Sequence, residues 1–572
     1  MKNKLLLVLI ISIFFINITA KGNPEIQRIN IPKDTVGLYE KFEMRINLTA
    51  SFQNPFEPDD IDITTVFNSP SGKQWKINGF WSSQWIVRFS PNEKGLWTYK
   101  VNVKDKEGKT TSKPDTLIVV ESTFHGPLRI APNNRYLEYS DGTPYYGIGL
   151  WYNDNYQRFN AGSIKPEKID ELKALGVNFI STYIIPLETM GTGLGRYDQN
   201  LCGRLDEVLD LCETKNMNLS LNIWFHAFLS DTVWPGGNRR WNSNPYRLIC
   251  KSKEFYSSKT AWSYQEKLYR YMIARWGYSR NLALWFVIDE VNGTNGWAEG
   301  DSLGAAKWAN QVHNYFKAND PYNHLTTGTR SGGVKEFWDE GYKTFDLPAR
   351  EIYEAQGFPI PKDGKFDAKN VHPLTLSYLN YSNEIKKLWN GYKKPAIIGE
   401  TGWDHTFYEP SMPEYAAQHH NALWISLMSG TAMTPFWWAY APLLNDNIIT
   451  NQLKSLDRFV STIPFNKLSN IKQLEATITA GDAFAMSSNE VTFGWVVNPK
   501  ADVTGAMVSV KSLADGKYKL KIYHTWRGQF IAESQIISKN GLATFTLPIL
   551  KIEDAHSHYI GQDAAFILTP IK

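Results

Sequence analysis

Alternating apolar and polar positions predict β-structure in the first part of the chain. Every second residue is apolar from Phe42 to Leu48, and the same alternation runs from Trp97 to Val103. A period of two, with Pro and Gly turns about every ten residues, is typical of a β-sandwich. We therefore predict an N-terminal β-sandwich over residues 24–121.

The pattern changes near residue 126, where short apolar runs begin to alternate with segments of helical period. Leu205, Val208, Leu209 and Cys212 form one apolar stripe, which predicts a helix over residues 204–215. A second helix is predicted over residues 164–175, ended by Gly176. The candidate strands between the helices are 145–150, 178–185, 219–225, 282–288, 325–329, 346–353, 396–399 and 432–438.

Eight strand–helix repeats over residues 123–462 predict a closed (β/α)8 TIM barrel. An open doubly wound sheet is the main alternative, and we favour it less because no Gly-rich phosphate turn follows any of the strands. Period two returns in segments 518–522 and 543–547, so a second β-sandwich is predicted over residues 465–572. The predicted fold class is a multidomain chain, a TIM barrel flanked by two β-sandwich domains.

The N-terminus predicts export. Lys2 and Lys4 precede an apolar run over residues 5–16, too short to cross a bilayer but typical of a signal peptide. We expect residues 1–20 to be removed and the product to be periplasmic or extracellular, with no integral membrane segment in the mature chain. Only three cysteines are present, too few for a disulfide framework, and we expect buried thiols.

Charge and composition narrow the partners. The formal net charge is only +4 and no block of basic residues occurs, which argues against nucleic acid as the main partner. Phe, Trp and Tyr make up 14% of the chain, which provides more flat apolar faces than an ordinary core needs.

Two predicted strands end in carboxylates. The apolar run 282–288 stops at Asp289 and Glu290, and the run 395–399 stops at Glu400. Residues that end buried parallel strands of a barrel lie at its C-terminal mouth, where barrel active sites are found. Two opposed carboxyl groups are what glycosidic bond cleavage requires. The alternative is that both glutamates are strand-end caps or ion-pair partners.

The motifs around these carboxylates resemble a known enzyme clan. Segments 244–246, 271–279 and 285–291 resemble the fourth-strand region of clan A glycoside hydrolases, nearest to relatives of the family 5 glycanases. Segment 398–403 is similar to their nucleophile strand and segment 430–438 to their aromatic eighth strand. An Ig-like module before the barrel and a sandwich after it are also familiar in such enzymes. The resemblance implies Glu290 as acid/base, Glu400 as nucleophile and retention of configuration.

The chain departs from the clan pattern at two places. Asp289 stands where the clan usually has the Asn that binds the sugar 2-hydroxyl, and its charge is expected to raise the pKa of Glu290. The second strand, 179–183, lacks the Arg that braces the nucleophile in family 5. This absence places the chain in an outlying group and weakens any transfer of substrate.

Other aromatic and polar positions are candidate substrate contacts. Tyr353 is predicted to hydrogen-bond Glu400 or to pack in the core, and His226 to contact a sugar hydroxyl or to be a structural histidine. Strand-end indoles can stack on a pyranose while the N–H bonds a hydroxyl, although one or two of them are expected in the core. The candidate tryptophans are Trp151, Trp224, Trp403, Trp437 and Trp438.

No cofactor or metal site is predicted. The histidines show no H-E-x-x-H spacing, and neither a P-loop, a dinucleotide turn nor a G-x-S-x-G elbow occurs. The sequence therefore predicts an exported retaining β-glycoside hydrolase acting on a polysaccharide or oligosaccharide. We favour endo action because extra domains and many aromatics suit a long ligand. The alternatives are an exo-acting enzyme, if the insertion 227–280 walls off a pocket, and a non-catalytic carbohydrate-binding protein on the same fold.

Overall fold

The structure is a computed structural model that describes residues 22–152, 164–184, 186–234, 236–331, 338–352, 377–402, 413–437, 447–550 and 562–571. The predicted signal peptide lies outside these residues. No helix among them is long and apolar enough to span a membrane.

Two sheets form the N-terminal part. Their hydrogen-bonded orders are β1-β3-β7-β6 and β2-β10-β8-β4-β5, with β9 added to β8. The strands are β1 (Glu25–Asn30), β2 (Thr35–Gly37), β3 (Phe42–Thr49), β4 (Ile61–Asn68), β5 (Gln74–Asn78), β6 (Phe80–Trp81), β7 (Trp85–Phe89), β8 (Gly95–Asp105), β9 (Lys109–Thr111) and β10 (Asp115–Val120). The predicted alternation is confirmed in β3 and β8, whose apolar residues join one core shared by both sheets.

A small antiparallel sheet of β11 (Leu128–Ile130), β12 (Leu137–Tyr139) and β13 (Pro144–Tyr145) leads into the central domain. That domain begins with five parallel strands in chain order: β14 (Gly149–Trp151), β15 (Phe179–Tyr183), β16 (Asn218–Phe225), β17 (Leu282–Asp289) and β18 (Leu325–Thr327). A further parallel pair is β19 (Ala349–Ile352) and β20 (Ile397–Thr401). The helices are α1 (Pro166–Ala174), α2 (Gln199–Lys215), α3 (Lys259–Trp276), α4 (Ser302–Asn319), α5 (Asp339–Thr344), α6 (Ser377–Gly391), α7 (Pro413–Ser429) and α8 (Asn447–Val460).

Further backbone contacts connect these two groups of strands. Leu347 N donates to Thr326 O at 3.2 Å, next to β18 and β19. Of the predicted strand over 432–438, the described residues form isolated bridges: Met433 pairs with Gly147 and Trp437 with Thr401, next to a bridge between Thr431 and Ala396. Thr434 N donates to Gly147 O at 2.8 Å, and Phe436 N donates to Ile398 O at 3.1 Å. Parallel segments thus follow one another from residue 147 round to residue 437.

The local sequence explains the elements that matter most. Every residue of β17 is buried, as its continuous apolar run predicts for a strand covered on both faces. The predicted stripe of α2 is confirmed, and the Asp198 side chain caps the helix by accepting from the N–H groups of Asn200 and Leu201. Gly176 follows α1 with φ +85°, the left-handed conformation that glycine adopts without strain.

The C-terminal strands form a single antiparallel sheet in the order β26-β25-β28-β23-β22-β21-β24-β27. They are β21 (Lys472–Ile478), β22 (Asp482–Ser487), β23 (Thr492–Val497), β24 (Met507–Lys511), β25 (Gly516–His524), β26 (Gln529–Ser538), β27 (Leu542–Thr546) and β28 (Asp563–Pro570). The β-structure is confirmed, whereas the two packed sheets of a sandwich are not.

The three cysteines are free thiols, as expected. Cys202 and Cys212 are buried, and Cys250 is half-buried. Burial raises the pKa of both Cys202 and Cys212 to about 12, which makes them unreactive at neutral pH.

Candidate active site

Four carboxyl groups meet at the carboxyl ends of the parallel strands. Asp289 ends β17 and Glu290 follows it, Glu351 lies on β19, and Glu400 lies on the neighbouring β20. Glu351 and Glu400 are register partners, and one carboxyl oxygen from each of Asp289, Glu351 and Glu400 lies within 4.8 Å of the others. Glu351 lies close enough to Glu290 for hydrogen bonding between the two carboxyl groups to lower the pKa of Glu290. The structure thus brings both sequence-predicted glutamates to one site.

His226, directly after β16, binds two of these carboxyl groups. Its Nδ1 lies 3.0 Å from Glu290 Oε2 and 3.7 Å from Asp289 Oδ2, and its Nε2 lies 3.2 Å from Asn238 Oδ1. Burial lowers the pKa of His226, but the charges and hydrogen bonds of Glu290 and Asp289 outweigh it and raise the pKa to about 10. His226 is therefore an imidazolium at neutral pH. The sequence predicts either a contact with a sugar hydroxyl or a structural histidine. The described contacts of His226 are with the two carboxylates and with Asn238.

Asp289 is held from a second side by Tyr183, at the end of β15. The Tyr183 hydroxyl donates to Asp289 Oδ2 at 2.6 Å, and Asp289 is 1% exposed. Burial raises the pKa of Asp289, the Glu290 charge adds to the rise, and hydrogen bonds from His226 and Tyr183 oppose it without cancelling it. Asp289 therefore takes protons at a higher pH than an exposed aspartate does.

The backbone at Glu290 turns sharply to present the side chain. Glu290 has φ 51° and ψ 57°, a left-handed conformation that costs energy for a residue with a Cβ. Thr329, just after β18, holds this turn, since its Oγ1 accepts from Glu290 N at 3.0 Å and its carbonyl oxygen accepts from Val291 N at 3.0 Å. Strain of this kind recurs where a residue has a chemical role.

The predicted rise in the pKa of Glu290 is wrong. Burial does raise this pKa, but the charge of His226 and its hydrogen bond outweigh burial, and Ser331 and Glu351 add hydrogen bonds. The pKa of Glu290 therefore lies below its ordinary value. The sequence argument considered only the negative charge of Asp289, whereas the nearer charge is the imidazolium.

Glu351 carries the opposite shift. It is 1% exposed, and both of its carboxyl oxygens are shielded from solvent. Burial and the charges of Glu290, Glu400 and Asp289 raise the pKa of Glu351 far above the ordinary range of a glutamate. Glu351, a residue that the sequence analysis does not single out, therefore binds a proton more readily than an exposed glutamate does.

Two sets of ligand groups among the described residues have a spacing that a metal ion would need: His226 with Asp289 and Glu290, and Asp289 with Glu351 and Glu400. Without a metal, the contacts of His226 with Glu290 and Asp289 favour its protonated form, and a metal would have to displace that proton. The second set offers three carboxyl groups, and a calcium ion would need further oxygen ligands. We assign no metal to the described site.

Three candidate tryptophans are buried, where one or two were expected in the core. Trp224 packs against Tyr246 and Phe255 and donates to Tyr269 OH at 2.8 Å, so it lies among the helices behind the strands. Trp151 stacks on Tyr183 with ring centroids 4.8 Å apart.

The indole N–H of Trp151 donates to Gly399 O at 2.8 Å. Trp437 is 2% exposed and meets His419 edge-on. The face of Trp151 that stacks on Tyr183 is closed to a sugar, and Trp437 exposes almost no surface to one.

Three further candidates, Tyr353, Trp403 and Trp438, lie outside the described residues. The residues that sequence reasoning missed are Tyr183, Thr329 and Glu351. The sequence did contain an indication for Glu351, because this residue precedes Tyr353 by two positions on the same predicted strand and therefore shares its face. Thr329 had none, because its role depends on contact with a neighbouring strand.

Comparison with known proteins gives one short family match. A family model described as a domain of unknown function (DUF5060) matches residues 35–104. Among curated proteins, none matches this chain.

Solved structures give a longer match. The chain is similar to a candidate glycoside hydrolase from Bacteroides vulgatus ATCC 8482, with a TM-score of 0.61, 15% identity, and 94% of this chain and 100% of that chain covered. A family 5 glycoside hydrolase from the same organism gives a TM-score of 0.49 at 13% identity over 78% of this chain and 94% of that one. A family 39 glycoside hydrolase from Bacteroides cellulosilyticus WH2 gives 0.42 at 12% identity over 95% of this chain and 100% of that one. The first of these similarities shows a shared multidomain fold over nearly the whole chain.

Proposed function

We propose that the protein is a retaining β-glycoside hydrolase with Glu400 as nucleophile and Glu290 as acid/base. The observation that carries this proposal is the meeting of Glu290 and Glu400 around Glu351, at the carboxyl ends of three parallel strands. The fold shared with the candidate hydrolase from Bacteroides vulgatus supports it.

We also propose that the parallel segments close into a (β/α)8 barrel. Backbone hydrogen bonds join segment 431–437 to β20 on one side and to Gly147, just before β14, on the other. They support closure, because they connect the last parallel segment to the first. A closed barrel would bring the ends of β17 and β20 to one mouth, as the chemistry requires.

Two steps would cleave the bond. The Glu400 carboxylate attacks the anomeric carbon while Glu290 gives a proton to the departing glycosidic oxygen, which leaves a covalent glycosyl ester on Glu400. Water then attacks the same carbon, Glu290 takes the proton of that water, and the Glu400 carboxylate is released. Two inversions give net retention. The contact between Glu290 and His226 favours ionised Glu290 and so favours its role as the base in the second step.

The substrate is proposed to be a polysaccharide or oligosaccharide outside the cytoplasm. The apolar N-terminal run supports export, and the additional domains on both sides of the central domain favour a long ligand and endo action. Exo action on chain ends is the second candidate, and the insertion between β16 and β17, which contributes the His226 partner Asn238, is the segment that would close a pocket.

Three variants and wild type, assayed on polysaccharides and on aryl β-glycosides, test this proposal. Glu400→Gln should abolish turnover of every substrate. Glu290→Gln should reduce turnover by about 10²–10⁴ on substrates with poor leaving groups and far less on dinitrophenyl glycosides, which need no proton. Glu188→Gln is the matched control, because Glu188 is another buried carboxyl group, 3% exposed, whose Oε1 accepts from Gly195 N away from the four carboxyl groups.

Proton NMR of the first product separates retention from inversion. A β-anomer appearing before mutarotation supports the double displacement, whereas an α-anomer contradicts it. If Glu400→Gln turns over substrate like wild type, the glycosidase proposal fails. Oligosaccharide binding with no turnover in any variant, wild type included, would instead support a carbohydrate-binding protein.

A further inference from the structure

Glu351 is, with Asp289, one of the two carboxyl groups of the site to which the two-step mechanism gives no role. It lies on β19 between the proposed catalytic residues, within hydrogen-bonding reach of Glu290 and with an oxygen within 4.8 Å of one of Glu400. Both of its oxygens are shielded from solvent. A carboxyl group placed there acts directly on both neighbours.

The charges of the site cannot all be present together. Asp289, Glu290, Glu351 and Glu400 would contribute four negative charges, and the cation that contacts them among the described residues is His226. Buried carboxylates at this separation repel strongly, so at least one of them binds a proton, as in pairs of carboxyl groups that share one.

The contacts decide which group holds it. Glu290 Oε2 lies 3.0 Å from Nδ1 of the imidazolium, and Asp289 accepts from Tyr183 at 2.6 Å and lies 3.7 Å from the imidazolium. Among the described residues no cation forms an ion pair with Glu351, which faces the carboxyl groups of Glu290, Glu400 and Asp289. Thr329 offers it a hydroxyl, and that hydroxyl also donates to Asp289 Oδ1 at 3.4 Å. Protonating Glu351 removes the most repulsion.

We propose that Glu351 stores, in the resting enzyme, the proton that Glu290 delivers to the leaving group. This inference rests on the proposed function for the fate of the proton, but not for its location. In the resting site the Glu351 carboxyl O–H donates to the Glu290 carboxylate, and Glu400 is ionised.

Attack by Glu400 releases the stored proton. Forming the glycosyl ester removes the negative charge of Glu400, which is one of the charges that keep the proton on Glu351. The proton then moves from Glu351 to Glu290 and from Glu290 to the glycosidic oxygen, which leaves both glutamates ionised. The net charge is conserved, because Glu400 loses the negative charge that Glu351 gains. When water attacks the ester, its proton returns through Glu290 to Glu351 and the Glu400 carboxylate reforms.

The location of the proton can be measured without substrate. An infrared difference spectrum of wild type minus Glu351→Gln, at neutral pH, should show the carbonyl band of a protonated carboxyl group. A difference spectrum that shows a lost carboxylate instead overturns the proposal. Addition of EDTA or of calcium chloride to wild type should leave the band unchanged, and loss of the band with calcium would mean that a cation holds these oxygens.

The fate of the proton is read from kinetics. In Glu351→Gln the store is missing and the amide donates to the Glu290 carboxylate, so the basic limb of kcat/KM should move to lower pH by a unit or more. Turnover of poor leaving groups should fall at least tenfold more than turnover of dinitrophenyl glycosides. If the basic limb of kcat/KM does not move and turnover falls equally on both substrates, Glu351 has only a structural role.

Two outcomes separate this inference from the proposed function. Full activity of Glu400→Gln would contradict the proposed hydrolase mechanism, and the infrared band would still show whether Glu351 is protonated. A retaining hydrolase without the band keeps the function and sinks the inference. Glu188→Gln, the buried carboxyl control, should leave the basic limb in place.

Discussion

His226 links two features of the site that sequence reasoning treated separately. Both ring nitrogens face oxygen atoms, with Nδ1 towards Glu290 and Nε2 towards Asn238 Oδ1, so both can donate only when the ring is protonated. The positive charge of the imidazolium stabilises one ionised carboxylate, which burial alone would favour in its protonated form. Charge balance at a single histidine therefore sets which carboxyl group of the site is ionised.

Replacing His226 by Gln should make stability less dependent on pH. The folded-state pKa of His226 is raised to about 10, so its contribution to stability is fully present below the unfolded value of about 6.5 and is lost as pH rises through 10. Urea denaturation of wild type between pH 7 and pH 10 should show a falling free energy of unfolding, and the fall should be smaller in His226→Gln.

Asn238→Ala is the control for this prediction. It removes the Nε2 partner and keeps the imidazolium next to Glu290, so its stability should still fall steeply with pH. In enzyme assays His226→Gln should move the basic limb of kcat/KM to higher pH, opposite to Glu351→Gln, because the charge that lowers the pKa of Glu290 is gone. Equal slopes of stability against pH in wild type and His226→Gln would contradict the charged histidine.

At the scale of the elements, the ends of neighbouring strands hold one another in place. Thr329 fixes the left-handed turn at Glu290 through one side-chain and one backbone hydrogen bond. Gly399 on β20 packs so closely on Thr329 that a Cβ there would lie 2.6 Å from Thr329 Cγ2. The position of Glu290 thus depends on two other strands.

Thr329→Val should therefore reduce activity by more than its loss of folding stability accounts for. Valine keeps the shape and removes the acceptor for Glu290 N, which leaves a buried N–H without a partner and costs about 1–3 kcal/mol. We expect a lower kcat with KM little changed, since the turn that presents Glu290 loosens. Steady-state kinetics and urea denaturation of the same preparation measure the two effects.

Thr327→Val provides the matched control on the same strand. Thr327 is also fully buried, and its Oγ1 donates to Leu347 O at 2.8 Å, away from the carboxyl groups. It should lose stability of the same order and keep its kcat. A kcat that falls equally in both variants would mean that Thr329 acts only through general stability.

The elements also show what the sequence could predict. The runs 282–288 and 395–399 carry no charged residue, and carboxylates that end such runs are expected at the strand ends, so Glu290 and Glu400 were found. Glu351 was missed because β19 is short and contains polar residues. The burial of Trp151 and Trp224 in particular could not be predicted, because a strand-end position does not show which face a ring presents.

At the scale of the whole molecule, one carboxylate on α2 joins the N-terminal sheets to the central domain. Asp206 accepts from both terminal nitrogens of Arg88 on β7, at 2.9 and 3.1 Å, and from Nε and Nη2 of Arg275 on α3, at 3.0 and 2.8 Å. Trp276 Nε1 donates to it at 2.8 Å. Arg88 also donates to the Arg275 carbonyl oxygen at 3.1 Å, so this group ties three elements together.

Asp206→Asn should weaken this junction strongly. Arg275, which is 2% exposed, would lose its counter-charge, and Arg88, which is 7% exposed, would keep only Glu43; unpairing a buried charge costs about 3–5 kcal/mol. Burial raises the pKa of Asp206, but hydrogen bonds from Arg275 and Arg88 outweigh it and lower that pKa. Its stabilisation is therefore present above the unfolded pKa of about 3.9 and is lost as pH falls through the folded value.

Calorimetry of the full chain at neutral pH tests this junction. In wild type, the N-terminal and central domains should unfold in one transition, and in Asp206→Asn the N-terminal domain should melt separately at a lower temperature, because the link between the two cores is broken. Asp210→Asn on the same helix is the control, since Asp210 is 50% exposed and its ion pair with Lys41 is worth no more than about 1 kcal/mol. Identical melting curves for Asp206→Asn and Asp210→Asn would mean that packing alone couples the domains.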